Sequence, residues 1–563
     1  MLRQVLLLLL CSLMCRWITE ASELPVDRED STTVPSRFYL EIFHSENQEN
    51  GAHRRPAPPP IGRSSLKQKL DHFSSNDGRN WRQVAWLIVI SFLMNDTFVS
   101  LQLTILRINQ EHSPLQFYTH RKSPQQRPDG AVFLVVGGED GADRAWLSNQ
   151  GLPYVQLADQ INASIFMLEH RFYGNSRPTN DTSVRNLKYL NAKQAVEDID
   201  RFVQEMNQRE RLTNPKWITF GGSYSGQICS CRSSHISKQE KANVSASAET
   251  SPPAFLVKLI GNLAAWAREK HSRTIRAAVA SSAPLQAKLN FKGKKMREMS
   301  TTLPGRRELV RIFKLDDSLI RPTVSQKDIA NFFLVISNYI SFIVMHSGIN
   351  VKGHRDLLTL DTMCTKLTHS PSLQSIRVLI GMVMTSQGKS PQSAIDVGYD
   401  SFLEFMRDER WNARNAQPRA WLYQNCHEFG HFRTSEELNG LFGGTLPLSF
   451  FLARCTDVFG GHFSPENTEK RIAETNEYFG GNQHFQATDV ILSNGSDDPW
   501  TLLGVYSGTS AIGNYIVCIE ETLMSEIAGT SHVADFYPPS NSDSNALRAA
   551  QYRIIKMIQK IVL

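Results

Sequence analysis

The sequence has little net charge and few cysteines, and its two most conspicuous apolar runs are short. Its apolar runs at 5–15 and 84–94 have about half of the ~20 residues that a transmembrane helix needs, so no stable membrane span is expected. The net charge is only +6 over 563 residues, without basic runs interleaved with aromatic residues. These absences argue against a nucleic-acid partner. A chain of this length is expected to form roughly two to four domains.

The first residues have the features of a secretory signal peptide. Arg3 gives a positive start, the apolar run 5–15 follows, and Thr19 and Ala21 form a small-x-small cleavage pattern. We therefore predict a signal peptide over residues 1–21 and a protein of the secretory pathway. Asn-x-Ser/Thr sites usable for glycosylation in that compartment begin at Asn162, Asn180 and Asn243.

Of eight cysteines, two belong to the predicted signal peptide. The other six are an even number in a compartment that permits disulfides. Cys229 and Cys231 are separated by a single residue, which makes a bond between them geometrically poor. The remaining four are Cys364, Cys426, Cys455 and Cys518. The sequence leaves all three of their pairings open.

The most informative motif is Gly221-Gly222-Ser223-Tyr224-Ser225-Gly226, which follows the β-prone run 217–220. Small residues around one serine after a strand are typical of a nucleophile elbow, where the chain turns sharply into a helix and exposes the hydroxyl. The pattern predicts Ser223 as the nucleophile. Ser225 departs from it, since a second glycine usually stands there.

An acid and a base for this serine follow near the end of the chain. Asp497 and Asp498 come after the run 489–492, and His532 lies in a loop of small residues. A serine nucleophile needs a base that accepts its proton and an acid that holds this base in the right tautomer. The order serine, aspartate, histidine is that of α/β-hydrolases, which predicts an α/β fold.

Four motifs together resemble the S28 family of serine peptidases. They are Gly221–Gly226, Glu169-His170-Arg171-Phe172-Tyr173-Gly174, Asn494–Trp500 and Gly529–Asp535. Shorter matches are Leu70–Phe73, Ala278–Pro284 and Cys455–Gly460, and the resemblance spans residues 65 to 560. It implies Ser223 as nucleophile, Asp498 as orienting acid and His532 as general base.

The resemblance also implies an activity. We expect a serine exopeptidase that cleaves peptide substrates after proline through an acyl-enzyme, without a cofactor or metal, in an extracellular or lysosomal location. Whether it acts from the amino or the carboxyl terminus stays open. A homodimer is one assembly compatible with the resemblance, and the sequence does not determine the oligomeric state.

An α/β-hydrolase core with an inserted, mainly helical cap domain accounts for the length of the chain, and the cap is implied by the resemblance. The predicted order is a signal peptide over 1–21, a disordered polar leader over 22–64, core over 65–299, cap over 300–480 and core over 481–563. Two stretches, at about 84–115 and 227–262, do not match the pattern of the S28 family. We expect both to be irregular insertions, and the second resembles translated intron.

The oxyanion hole is expected at the end of the apolar strand 131–136. In α/β-hydrolases one donor is the N–H after the nucleophile, here Tyr224, and the other comes from the loop after an earlier strand, here Gly138. Glu139 in this loop is a candidate substrate-binding residue. Asp140 departs from the family pattern, which has glycine there.

His427-Glu428-Phe429-Gly430-His431 matches the H-E-x-x-H zinc signature. That signature requires a helix, and Gly430 argues against a well-formed one. We therefore predict no metal here. Glu428 is a candidate pocket residue that contacts the substrate's terminus, with a structural carboxylate as the alternative.

Two other functions compete with the exopeptidase. The stretch 227–262 interrupts the helix expected after the elbow, which would leave a catalytically impaired or dead product. An esterase or lipase uses the same triad, because the triad does not reveal which acyl group is attacked.

Overall fold

The computed structural model describes residues 59–74, 81–95, 98–112, 115–222, 261–282, 297–347, 357–369, 372–435, 444–482, 484–485, 487, 489–504, 515–516 and 529–563. The strands are β1 (Ile61–Lys67), β2 (Trp81–Asn95), β3 (Phe98–His112), β4 (Leu115–Arg121), β5 (Ala131–Val136), β6 (Ser164–Leu168), β7 (Lys216–Gly222), β8 (Ala277–Ser281), β9 (Val490–Ser493) and β10 (Tyr515–Ile516).

Eight strands form one sheet in the order β1-β4-β6-β5-β7-β8-β9-β10. β4 is antiparallel to both of its neighbours, and the strands from β6 to β10 are parallel. Parallel strands that are covered on both faces are apolar throughout, as in β5, where all six residues are buried. This strand order is that of an α/β-hydrolase, which confirms the predicted fold class.

The helices are α1 (Ala145–Ser148), α2 (Pro153–Gln160), α3 (Val184–Leu187), α4 (Ala192–Arg209), α5 (Gly261–Lys270), α6 (Arg297–Ser300), α7 (Leu303–Phe313), α8 (Gln326–His346), α9 (Leu360–His369), α10 (Leu373–Ser386), α11 (Tyr399–Arg407), α12 (Ala416–Gln424), α13 (Leu448–Phe459), α14 (Pro465–Phe479) and α15 (Asn545–Val562). A π-helical turn at Asn425–Phe429 follows α12.

Helices cover both faces of the sheet. α4 and α5 pack on one face, where Phe202 is buried with Trp217 of β7. α2 and α15 pack on the other, where Ile558 is buried with Phe220 of the same strand. The alternation of side chains along β7 therefore places its residues in two separate cores.

The described chain between β8 and β9 is helical. Helices α6 to α14 lie there, and we call residues 297–479 the helical segment. Their buried side chains, among them Phe332, Ile380 and Phe451, form a core distinct from the two that flank the sheet. The domain boundaries given above stay predictions.

A disulfide joins Cys426 of the π-helical turn to Cys455 of α13, with the Cα atoms 5.7 Å apart. This bond excludes the two open pairings in which Cys426 and Cys455 have other partners. Cys364 is an exposed free thiol, and Cys518 lies outside the described residues, as do Cys229 and Cys231.

One helix within the described ranges, α8, is long and apolar enough to cross a membrane, but 78% of its most apolar window is buried inside the protein. That burial is typical of a core helix.

Two expected irregular regions differ from the structure. Residues 84–115 contain most of an antiparallel hairpin of two 15-residue strands, β2 and β3, which forms a sheet of its own. The valine, isoleucine and threonine residues of this stretch favour β-strands, so it forms a regular hairpin. This hairpin does not join the main sheet. The predicted leader also ends earlier than expected, since β1 begins at Ile61.

The helix expected after the elbow is present as α5 and begins at Gly261, so the last two residues of the stretch 227–262 are helical. Residues 223–260 lie outside the described residues, together with 1–58 and the predicted signal peptide. Asn162 and Asn180 are exposed, whereas Asn243 also lies outside.

Candidate active site

His532 and Asp498 form a buried, hydrogen-bonded pair. Nδ1 of His532 donates to Oδ2 of Asp498 at 2.8 Å, and the two side chains are 3% and 0% exposed. Oδ1 of Asp498 accepts from the backbone N–H of Trp500 at 3.0 Å. A carboxylate held in this way keeps the proton of the neutral imidazole on Nδ1, which leaves Nε2 as an acceptor.

The loops that carry this acid and base lie against each other. The backbone N–H of Asp497 donates to the carbonyl of Thr530 at 2.9 Å, and a Cβ atom at Gly495 would lie 2.4 Å from the same carbonyl. Only glycine permits this approach. The carboxylate of Asp497 accepts from Ser496 at 3.1 Å. The fold thus brings Asp498, and not Asp497, to His532.

Nε2 of His532 is buried and makes no hydrogen bond to any residue that the structure describes. The end of β7 lies against the residue after His532, because a Cβ atom at Gly222 would come within 2.4 Å of Cγ1 of Val533. Ser223 and Tyr224 directly follow β7 and lie outside the described residues. The residue before the predicted nucleophile therefore contacts the residue after the predicted base.

The turn after His532 is tied to the ends of β8 and β9. The backbone N–H of Val533 donates to the Ser282 hydroxyl at 2.9 Å. The carboxylate of Asp535 accepts from the hydroxyls of Ser281 and Ser493, and burial raises the pKa of Asp535. This support was not identified from the sequence, although its residues belong to matched motifs or directly follow a predicted strand.

The predicted oxyanion loop is held by the strand next to it. The backbone N–H of Gly137 donates to the carbonyl of Leu168 at 2.8 Å, and Oε1 of Glu169 accepts from the N–H of Ala142 at 3.1 Å. Gly138 is buried between these two anchors. Glu169, the first residue of a matched motif, therefore positions the loop.

Glu139 and Asp140 continue this loop and are half-buried. Oδ1 of Asp140 accepts from the N–H of Gly141 at 2.8 Å and from the side chain of Gln417 in α12 at 3.0 Å. Burial raises the pKa of Asp140 to about 6. The pKa of Tyr173 is raised first by burial and then by the charges of Glu139 and Glu428, and its hydroxyl donates to Oε1 of Gln424 at 2.6 Å.

Glu428 is buried, and its Oε1 accepts from the backbone N–H of Ala192 at 2.7 Å. Ala192 begins α4, so the carboxylate caps an otherwise unsatisfied donor of that helix. Burial raises the pKa of Glu428 to about 8. This geometry favours the structural interpretation of Glu428 over contact with the substrate.

The histidines of the zinc-like signature do not share one face of an α-helix. His427 lies in the π-helical turn and stacks on Tyr423, while Gly430 and His431 have φ of 68° and 55° and leave the helix. The ring of His431 contacts Trp500 at 5.1 Å between centroids, and Trp500 lies 6.4 Å from His532. His431 therefore belongs to the surroundings of the acid–base pair, which the sequence did not indicate.

Two further matched motifs meet at Asp198 of α4. Its carboxylate accepts two hydrogen bonds from Arg171, both at 2.7 Å, and one from Nε2 of His72 at 2.8 Å. All three side chains are at most 9% exposed. The motifs that contain His72 and Arg171 therefore secure the segment after β1 to the core.

A doubly wound sheet of this strand order, with a buried aspartate–histidine pair on the loops after its last strands, defines an α/β-hydrolase. The family model described as serine carboxypeptidase S28 matches residues 108–251, 259–295 and 293–554. The chain therefore belongs to the S28 family and is a serine peptidase.

The relatives agree with this assignment. The chain is 28% identical over 526 residues to the Caenorhabditis elegans protein named "Putative serine protease K12H4.7", covering 87% of this chain and 86% of that protein. It is 26% identical over 536 residues to the human thymus-specific serine protease, covering 89% and 87%. The peroxisomal α/β-hydrolase Lpx1 of Saccharomyces cerevisiae is a solved structure with 8% identity and a TM-score of 0.33, covering 90% and 91%.

Proposed function

We propose that this protein is a serine exopeptidase that uses Ser223, His532 and Asp498 as its triad and cleaves after proline. The observation that carries the proposal is the buried His532–Asp498 pair, because Val533, the residue after this histidine, contacts Gly222 at the end of the strand that leads into Ser223. The motifs that resemble the S28 family support the same three residues.

In this mechanism Oγ of Ser223 attacks the scissile carbonyl carbon, and its proton passes to Nε2 of His532. The N–H groups of Tyr224 and Gly138 stabilise the oxyanion. The C–N bond then breaks, and the leaving amine takes the proton from His532. Water next attacks the acyl-enzyme, with His532 again accepting a proton, and this releases the acid and restores Ser223. Asp498 stabilises the imidazolium in both halves.

The substrate class rests on the family. The family description names a carboxypeptidase, and the relatives are named as serine proteases. Glu139 and Asp140 follow Gly138 in the predicted oxyanion loop, and this position supports the proposal that Glu139 binds a terminus of the substrate. An extracellular or lysosomal location follows from the predicted signal peptide and is part of the proposal.

The test is a substrate panel on the purified protein. Peptides with proline at the second position from either end, each with a free or a blocked terminus, are compared with alanine counterparts and with short acyl esters. We expect turnover of the proline peptides, abolished by blocking one terminus. Faster hydrolysis of the esters than of every peptide would contradict the proposal and favour an esterase.

Ser223 is tested separately with a fluorophosphonate probe. The wild type should be labelled and Ser223→Ala should not be, because the probe needs the activated hydroxyl. Ser225→Ala is a matched control two residues away and should still be labelled. Equal labelling of the wild type and Ser223→Ala would show that another residue is the nucleophile.

A further inference from the structure

The C-terminal end of α8 meets the loop that carries His532. The carbonyl of Met345 accepts from the backbone N–H of His532 at 3.0 Å. The carbonyl of His346 accepts from the hydroxyl of Ser531 at 2.7 Å, across 185 positions of sequence. All four residues are buried. The helical segment thus holds the predicted base directly.

These bonds satisfy groups that have no partner inside their own elements. The last four carbonyls of an α-helix lack intrahelical donors, and α8 ends at His346, before Ser347 in the left-handed region. A buried donor or acceptor that is left without a partner destabilises the fold. The helix end and the histidine loop therefore stabilise each other, and a shift of one moves the other.

The residue after the base is anchored elsewhere. Val533 donates to Ser282 at the end of β8, so successive backbone N–H groups bind the helical segment and the sheet. The position of His532 depends on both.

We propose that α8 positions the general base. The helical segment and the sheet must then pack against each other before Nε2 of His532 can reach Ser223. Ser531 is the positioning residue on the loop side. The inference rests on the proposed role of His532. It gives the C-terminal end of α8 a role in positioning the base, and movement of that end changes turnover as well as substrate binding.

The first experiment removes the Ser531 hydroxyl. A displacement of about 1 Å at a catalytic group costs on the order of 100-fold, and one of two anchors is lost here. We expect Ser531→Ala to lower kcat about tenfold with KM changed less than about twofold, and to slow fluorophosphonate labelling by a similar factor. Ser531→Thr, which keeps the hydroxyl, should recover most of the loss.

The control is Ser337→Ala in the same helix. The buried Ser337 hydroxyl donates to the carbonyl of Leu334 at 2.8 Å, within α8. Its loss should lower thermal stability as Ser531→Ala does and leave kcat unchanged. If Ser531→Ala lowers kcat no more than Ser337→Ala, or only raises KM, the inference is wrong. A wild type that is not labelled at Ser223 would instead contradict the proposed function.

A second measurement needs no variant. Hydrogen exchange of wild-type protein is followed with and without a fluorophosphonate adduct at Ser223. The end of α8 and residues 529–535 should gain protection together, because they share hydrogen bonds. Protection of one region without the other would also overturn the inference.

Discussion

Gly222 and Val533 are in direct contact, and a Cβ atom at position 222 would lie 2.4 Å from Cγ1 of Val533. Val533 has φ of 58°, an unusual conformation for a β-branched residue. The strand end before the proposed nucleophile and the turn after the proposed base therefore fit together only with glycine at 222.

This contact predicts that Gly222→Ala disturbs the site. The methyl group must displace Val533 and with it His532, so we expect kcat to fall by about one to two orders of magnitude. The double variant Gly222→Ala, Val533→Ala removes the clash and should recover most of the activity. An equally low kcat in the double variant would show that the clash is not the cause.

The geometry also predicts that Asp498 contributes more to kcat than its neighbour Asp497. Asp498→Asn should lower kcat by about 10⁴-fold, because the amide favours the wrong tautomer of His532. Asp497→Asn is the matched control and should change kcat little, since its carboxylate contacts Ser496. Steady-state kinetics on the best peptide of the panel give the ranking, and the reverse order would contradict the assignment.

The lowered pKa of Asp198 predicts that the stability of the folded protein depends on pH. Burial would raise its pKa, but Arg171 and His72 outweigh burial, and the pKa of Asp198 is lowered. A lowered pKa in the folded state adds stability that is present above the unfolded value of about 3.9 and is lost as pH falls through the folded value.

Asp198→Asn should therefore lower the unfolding free energy by about 3–5 kcal/mol at pH 7. The gap to the wild type should narrow as the pH falls below about 4 in denaturant titrations. Asp129→Asn, which breaks an exposed pair with Arg127, should leave the midpoint unchanged. A gap that is constant with pH would contradict the assignment to this carboxylate.

We predict that deletion of the stretch between the elbow and α5 raises the catalytic activity. In α/β-hydrolases the helix after the nucleophile begins at once, with its N-terminal N–H groups near the oxyanion. Removal of residues 227–260 brings Gly226 directly to α5. We expect a higher kcat/KM for the shortened form on a proline peptide. An equal or lower value would show that the stretch contributes to function.

The sequence by itself determined the fold class and the three triad candidates. Each of them lies within a few residues of a β-prone run or in a short loop motif, where local propensity and turn chemistry act between neighbours. For the same reason β5, β7, β9 and the final helix could be placed from their apolar patterns.

Only the tertiary structure decided which groups support the pair. Asp535 meets Ser281 across 254 positions, and Ser531 meets His346 across 185. Glu428 caps α4 from 236 positions away, and Cys426 pairs with Cys455. No local pattern encodes such contacts, because they arise when distant segments bury their polar groups together and each must find a partner.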